Sequence, residues 1–451
     1  MSSIASPDTY VFRRRLSFPH PVAVRGEGIY VWDAEGRQYI DASGGPIVVN
    51  VGHGVGEIAR AMADQASAIA YVHGAVFTTE SLETYSAELA RRVPMDNPRF
   101  YYLTSGSEAV EAAAKFARQV QVARGEATRD TLIARWGSYH GATLGALALT
   151  GRTSMRHLYA PMFRDQPHIP PPYCYRCPFG ATYPTCDLAC ARALEAEIRR
   201  QGPGRVAAFI AEPVSGATLG AVVPPEGYWP LIREICDRYS VLLIADEVMT
   251  GFGRTGRWFG MEHFGVRPDV MTMGKGATGG YFPFSITAVR ADDVEALHCA
   301  HGDFNHGGTF SHHAVGAAVA LATLRYIEAH NLVAAAAQRG TYLGQRLREA
   351  LEDLPCVGDI RGIGMMWGVE FVADRKTKAP FPPERAFARR VGDRALQKGL
   401  ITYPGSGCAD GIAGDHLMIA PPFIITEPEI DEVVALLRKA VVQLWEEMGG
   451  R

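Results

Sequence analysis

Short apolar runs alternate with amphipathic stretches through the middle of the chain. Tyr101–Thr104, Thr131–Ala134, Val206–Ala211, Val241–Ala245, Asp269–Met273 and Phe284–Val289 are compact runs rich in branched or aromatic residues. Runs of this kind with no polar alternation predict strands buried on both faces of a parallel sheet. Helical spacing fills the gaps: 57–70, 80–92, an Ala-rich run to Ala117, 228–239 and 313–330. Strand and helix in alternation from about 100 to 290 is the pattern of an α/β sheet covered by helices. Before it, two alternating runs around Asp33-Ala-Glu-Gly36 predict a hairpin, and Gly44-Gly45 and Gly52-His53-Gly54 predict loops. After it come helix 333–354, a Gly-rich strand pair over 360–370, helix 383–398, one strand at 400–403 and a last helix from Glu427. The pattern divides into an N-terminal segment 1–60, a large α/β unit 61–325 and a C-terminal α+β unit 326–451.

The chemistry-bearing residues fall at the carboxyl ends of these strands, where open α/β sheets bind ligands. Val241–Ala245 ends in Asp246 and Glu247, and Asp269–Met273 leads into Gly274-Lys275-Gly276. A lysine between glycines is open to close approach, and desolvation there would free its amine as a nucleophile. A carboxylate and such a lysine at buried strand ends suit pyridoxal phosphate, which needs a Schiff-base lysine and an acid facing its pyridinium nitrogen. Gly274-Lys275 is no phosphate loop of the P-loop kind, since no G-x-x-x-x-G precedes the lysine and no Ser or Thr follows it. Ser105-Gly106-Ser107-Glu108 at a helix start offers amides and hydroxyls to an anion. Tyr139 could stack on a flat ring, and Pro213 leaves Glu212 at a strand tip. Each residue alone has an ordinary explanation: a solvated strand end, a helix cap, loop packing. Their convergence on one sheet edge does not.

Composition narrows the classes. A 451-residue chain with a formal net charge of −3 carries no electrostatic footprint for nucleic acid or an acidic membrane. No apolar run reaches the ~18–20 residues of a membrane span, and the N-terminal stretch MSSIASPDTYVFRRRLSFPH lacks the apolar core of a secretory signal. The expectation is a soluble cytoplasmic protein. Eight cysteines are too sparse for a disulfide scaffold. Four of them, Cys174, Cys177, Cys186 and Cys190, are spaced as two pairs that could hold a structural zinc. Packed or solvent-facing free thiols are the alternative, and the expectation is no metal.

The motifs in order are Ser105-Gly106-Ser107-Glu108-Ala109, Tyr139-His140-Gly141, Glu212-Pro213-Val214, Asp246-Glu247-Val248, Gly251-Phe252-Gly253-Arg254-Thr255-Gly256, Lys275-Gly276 and Gly308-Thr309-Phe310. Over essentially its whole length the chain resembles the class III, omega-transaminase-like aminotransferases of pyridoxal-phosphate fold type I. The resemblance implies a large domain with a mostly parallel seven-stranded sheet between helices, and a smaller α+β domain formed by the N- and C-terminal segments. It implies pyridoxal 5'-phosphate as cofactor, with Lys275 as Schiff-base lysine and base of a 1,3-proton shift. Asp246 would pair with the pyridine nitrogen and Glu212 would orient Asp246. Ser105, Gly106 and Ser107 would serve the phosphate, with Thr309 reaching it from the other subunit of an obligatory homodimer, or of a dimer of dimers. Tyr139 would stack on the ring, Val248 would pack its other face, and His140 would belong to the same cofactor site.

The departures concern specificity. Relatives acting on 4-aminobutyrate or ornithine carry a glutamate after Glu-Pro-Val that pairs with an arginine near the C-terminal Pro-Leu; here those positions look like Ala217 and Met418. Joint loss is coherent, because half of a buried ion pair is costly. In the omega-amino acid and amine:pyruvate group an arginine near this segment often clamps the acceptor carboxylate, yet LITYPGSGCADGIAGDHLMIAPPFIIT contains none. The nearest histidine, His416, reads as a structural loop histidine. Ile47, where some relatives place a bulky aromatic, suggests a roomier apolar pocket. The reading is transfer of an amino group from a primary amine or omega-amino acid to a 2-oxo acid, with pyruvate expected, by a ping-pong mechanism. An aminomutase or amino-acid epimerase on the same scaffold is the alternative, and a non-catalytic pyridoxal-phosphate binder the third.

Overall fold

Four strands buried along their whole length, Thr131–Arg135, Val206–Ala211, Leu242–Asp246 and Val270–Met273, form the centre of a seven-stranded sheet. The computed structural model of the chain describes residues 9–16 and 18–450. Residues 1–8, which belong to the stretch read as lacking a secretory signal, lie outside the described residues. The two faces of the sheet divide its side chains by the period of two that strands impose. Leu132, Ala134, Ala208, Ile210, Leu242 and Ile244 pack with Val110, Ala113 and Ala117 of helix Gly106–Ala123. Ile133, Phe209, Leu243 and Ala245 join a core containing Leu194 of helix Ala189–Gln201 and Trp229 and Ile232 of helix Tyr228–Arg238. With helices on both faces, neither row of side chains meets water, which is why the runs lack polar alternation.

Across the sheet the order is Pro98–Leu103, Ser285–Arg290, Val270–Met273, Leu242–Asp246, Val206–Ala211, Thr131–Arg135, His168–Ile169. Ser285–Arg290 runs against both of its neighbours, while the remaining pairings are parallel. This is the mostly parallel seven-stranded sheet expected from the resemblance. Its topology brings the residues that follow Leu103, Arg135, Ala211, Ala245 and Met273 to one edge.

The N-terminal hairpin, Tyr30–Asp33 with Gln38–Asp41, is as read from sequence; Ala23–Glu27 adds a strand to it. The single strand expected at 400–403 is instead two. Leu400–Ile401 pairs in parallel with the N-terminal hairpin, and Tyr403–Ser406 joins Val357–Ile363, Met366–Phe371 and Asp415–Ile419 in a separate antiparallel sheet. Thr402 thus passes the chain from one sheet to the other, a switch that the apolar pattern of a short run does not encode. Helix 383–398 is also shorter than expected, Phe387–Gln397, since Pro382 and Pro383 hold the preceding residues in an isolated 3-10 turn.

Helix Leu332–Leu351 lies on the hairpin formed by Val357–Ile363 and Met366–Phe371 through two glycines. A Cβ on Gly340 would enter the backbone of Gly364, and one on Gly344 would enter the Trp367 indole. The approach lets Trp367 Nε1 donate to Gly340 O at 3.0 Å. Gly344→Val should therefore lower unfolding free energy by about 2–3 kcal/mol through overpacking, measured by chemical denaturation, despite the better helix propensity of any residue over glycine.

Candidate active site

The sheet edge opens into a cavity of about 390 Å³. The turn after Pro98–Leu103 supplies its first wall. Ser105 caps helix Gly106–Ala123: its Oγ accepts from Glu108 N at 3.3 Å, while Glu108 accepts from Ser105 N at 2.9 Å and Thr104 N at 3.0 Å. The capping box is satisfied internally, so the Ser105 side chain does not line the cavity, whereas Gly106 and Ser107 do. A Cβ on Gly106 would lie 2.9 Å from Val248 Cγ1. Glycine here keeps the helix N-terminus, with its free amides and positive dipole end, bare against the cavity. Ser107 Oγ accepts from Ala142 N at 3.1 Å, tying this turn to the loop of Tyr139, His140 and Gly141, all three of which line the cavity.

Asp246 ends the next wall, buried but for a face on the cavity. Its Oδ2 lies 2.7 Å from His140 Nδ1, and its Oδ1 accepts from Thr272 Oγ1 at 3.0 Å and Val248 N at 3.2 Å. An ionised carboxylate only accepts, so His140 donates from Nδ1. Glu212, expected to orient Asp246, makes no hydrogen bond to it: Oε1 accepts from Gly216 N at 3.2 Å and Oε2 is buried without a partner. Holding Asp246 falls instead to His140 and to Thr272, a residue that sequence reading missed. Thr272 carried a signal all the same, as the one hydroxyl inside an otherwise apolar strand, in register with Asp246. Burial, with the Asp246 charge adding to it, raises the Glu212 pKa against the opposing pull of His140 and Arg135.

Lys275 follows Val270–Met273 and lines the same cavity. It sits at φ 44°, in the left-handed region that non-glycine residues avoid. Such strain costs about 1–3 kcal/mol and persists where surrounding structure imposes it. Burial lowers the Lys275 pKa from 10.5 to about 8, with the Asp246 and Glu212 charges opposing that shift. Phe282, Phe284, Thr278, Val48 and Met249 complete the walls. Sequence reading missed these five as site residues: four come from loops that carry no periodic signal, and Phe284 was read only as the start of a strand that in fact begins at Ser285.

The model of the family "Aminotransferase class-III" matches residues 12–441. The uncharacterized aminotransferase YodT of Bacillus subtilis is 37% identical, over 96% of this chain and 97% of that one. A leucine/methionine racemase of Thermococcus litoralis is 36% identical, over 96% of this chain and 93% of its own. Among solved structures, one from a study of directed evolution of transaminases by ancestral reconstruction superposes with a TM-score of 0.90 at 37% identity, covering 95% of this chain and 94% of that one. The chain belongs to the class III aminotransferases.

Class III aminotransferases are pyridoxal-phosphate enzymes of fold type I, and the residues present fit that cofactor. The cavity offers a bare helix N-terminus for a phosphate, a lysine whose amine burial biases toward the neutral form, and a fixed carboxylate at the end of the neighbouring strand. Other residues singled out from the sequence lie elsewhere. Thr309 is exposed, away from this chain's cavity, where its carbonyl accepts from Tyr71 Oη at 2.8 Å. Ile47, Ala217 and Met418 do come together, but in a buried apolar cluster behind the cavity wall, with Met249 packed between. His416 lies in strand Asp415–Ile419 and not in a loop; its Nε2 is 3.0 Å from Ala217 O, and burial pushes its pKa down to about 4, so the ring is neutral. Cys174, Cys177, Cys186 and Cys190 are free thiols around one small cavity, and no metal-holding group of three or more His, Cys, Asp or Glu is found among the described residues.

The lowered lysine pKa sets a pH dependence. With a pKa near 8, roughly a tenth of Lys275 is neutral at pH 7, against under a thousandth for an ordinary lysine. Capture of pyridoxal phosphate by the apo-protein, followed by absorbance, should accelerate as pH rises from 7 and level off above about 8, and Lys275→Ala should abolish it.

Proposed function

We propose that this class III aminotransferase moves an amino group from a primary amine or omega-amino acid to a 2-oxo acid, with pyruvate as acceptor, in a ping-pong cycle. The observation that carries the reading is the placement of Lys275 and Asp246 on the lining of one cavity with the Gly106–Ser107 turn. Bound pyridoxal phosphate supplies an electron sink that stabilises negative charge at the substrate carbon. The chain's residues do the rest. Lys275 would hold the cofactor through Nζ and would serve as the base that moves the proton at the substrate carbon. Asp246, oriented by His140 and Thr272, would pair with the pyridine nitrogen. Gly106 and Ser107 would bind the phosphate, Tyr139 and Val248 would hold the ring, and Glu212 would shape the floor beside Asp246.

Pyruvate is favoured by Ala217 and Met418, which remove the glutamate–arginine pair carried by relatives that act on 4-aminobutyrate or ornithine. Their burial with Ile47 leaves an apolar layer behind Met249, which suits a longer amine. The kinship with a racemase at 36% identity supports the second reading, an isomerase using the same lysine. Division of the chain at about residues 60 and 325 belongs to the same proposal.

A homodimer completes the reading. Tyr71 and Phe310 are exposed with ring centroids 6.1 Å apart, and Val76 and Phe77 are exposed nearby in sequence, an apolar surface of the kind partners cover. Thr309 lies on this surface, where it would serve the phosphate of the second subunit. Phe77→Asp with Phe310→Asp should shift sedimentation from dimer toward monomer and reduce retention of the cofactor.

The deciding experiment is a panel of amine donors against pyruvate and 2-oxoglutarate, with the cofactor's absorbance followed in each half-reaction. Release of an oxo product with conversion to the pyridoxamine form is expected, and pyruvate should restore the starting spectrum. Inversion of stereochemistry with no acceptor present would select the isomerase; service by 2-oxoglutarate alone would overturn the acceptor assignment. Lys275→Ala should cost at least about 10²-fold in turnover, the lower range for a lost general base.

A further inference from the structure

The C-terminal segment from Leu400 to Thr426 contains no arginine, yet a 2-oxo acid brings a carboxylate that must be neutralised in a largely apolar site. We propose that Arg152 binds the carboxylate of the 2-oxo acid acceptor and of amino-acid donors, an assignment that rests on the aminotransfer reading above.

The backbone fixes where Arg152 stands. Gly151 N donates to Ser138 O and to Ser138 Oγ, both at 3.1 Å, and Gly137 N donates to Gly151 O at 3.0 Å. Any side chain at 151 would strike the Arg135 carbonyl and the backbone of Trp136 and Gly137, so the two chain segments touch. Residue 152 is thereby held against the loop that carries Tyr139, whose ring lines the catalytic cavity. Arg152 itself lines a separate cavity of about 260 Å³, closed by Ser406 at the end of the C-terminal sheet and by the turn that follows it to Gly411. A Cβ on Gly411 would come within 2.7 Å of Thr153 Oγ1. Arg152 therefore reaches from the large sheet to the C-terminal segment in which relatives carry their arginine.

Its bonding is anomalous for this protein. Buried Arg254 donates to the carbonyls of Val49, Met365, Ala420 and Pro421, and Arg361 pairs with Glu370 and Asp359. Among the described residues the half-buried Arg152 guanidinium finds no hydrogen-bond or ion-pair partner, although an unpartnered buried Nε is something it shares with Arg361. Burial lowers the Arg152 pKa, with the Arg14 charge adding to that shift and the Tyr403 and Tyr139 phenols opposing it. Tyr403 pairs with Met418 across the C-terminal sheet, so it stands at the edge of the apolar layer behind the catalytic cavity. Asp410 lines the same second cavity, but its Oδ1 is occupied by Ile412 N at 2.8 Å and Ala413 N at 2.6 Å. Among the described residues the Arg152 guanidinium thus has two phenols near it and no ion-pair partner, although Asp410 lines the same cavity. A guanidinium fork matches a carboxylate in two parallel hydrogen bonds, and the phenols offer further donors.

The test compares acceptors. Using the holoenzyme in its pyridoxamine form, the ratio of kcat/KM for pyruvate to that for a carboxylate-free aldehyde should fall about ten- to a hundredfold in Arg152→Met, the equivalent of a lost charge-assisted hydrogen bond. Arg152→Lys, which keeps the charge and loses the fork, should fall less, and it serves if the methionine variant does not fold. An unchanged ratio in Arg152→Met, or an equal loss for both acceptors, overturns the proposal. A readout free of turnover is the rise in Tm of the holoenzyme with propionate, expected for the parent protein and lost in Arg152→Met; its persistence also overturns the assignment. Should the parent protein transfer no amino group to any acceptor, the aminotransfer reading fails, and the propionate shift still judges the arginine.

Discussion

A carboxylate at the tip of a fully buried strand survives without water only if donors are already in place around it. Asp246 has three, from His140, Thr272 and the amide of Val248, and they come from three different segments of the chain. That requirement organises the site. Thr272 faces Asp246 because Leu242–Asp246 and Val270–Met273 are parallel neighbours in register. His140 arrives because Thr131–Arg135 lies on the same side of the sheet and its loop folds over the edge. The same register that lets Thr272 donate places Lys275 three residues on, just beyond the strand. Carboxylate and amine are thus positioned by backbone pairing, the least deformable element available.

The amine and the acid are tuned in opposite ways by one cause. Burial lowers the Lys275 pKa to about 8, and burial raises that of Glu212. A site with one fixed negative charge, one amine near neutrality and one carboxyl held high can keep a ring nitrogen protonated while leaving a base free. The cavity's electrostatics then depend on the donors to Asp246 as much as on Asp246 itself. Arg254 adds mechanical closure: by donating to carbonyls before, within and after the sheet-edge loops, it links the N-terminal loop, the Gly364–Met365 turn and the Ala420-Pro421 segment in one buried node.

Much of this was legible in the sequence because buried parallel strands leave unbroken apolar runs that announce their ends. Asp246, Lys275, Glu212 and the Ser105–Glu108 turn stand at such ends, and the sheet brings all four to one edge. Two kinds of feature were not legible. Interactions within a strand pair, such as Thr272 with Asp246, depend on register, which one strand's composition does not specify. The change of sheet at Thr402 depends on tertiary partners, since a run of two or three apolar residues fits either sheet equally. Glu212 illustrates the limit from the other side. Its place beside Asp246 was readable, but the direction of its carboxylate, toward Gly216 N, follows from the turn after Pro213 and not from the motif.

On the proposed reading, specificity would rest on different physics from the chemistry. Ile47, Ala217 and Met418 were singled out as departures, and the fold collects them into one cluster although they come from three distant parts of the sequence. None of the three lines the cavity; Met249, which does, packs against them. Volume changes in that cluster would be transmitted by the flexible thioether of Met249, a side chain that adapts to its surroundings with little cost. A glutamate at 217 or an arginine at 418 would place a charge in a layer that holds no partner for it, so neither returns without the other. On that reading the acid–amine pair would be insulated from variation in substrate preference: backbone register fixes the one, and side-chain volume behind Met249 would adjust the other.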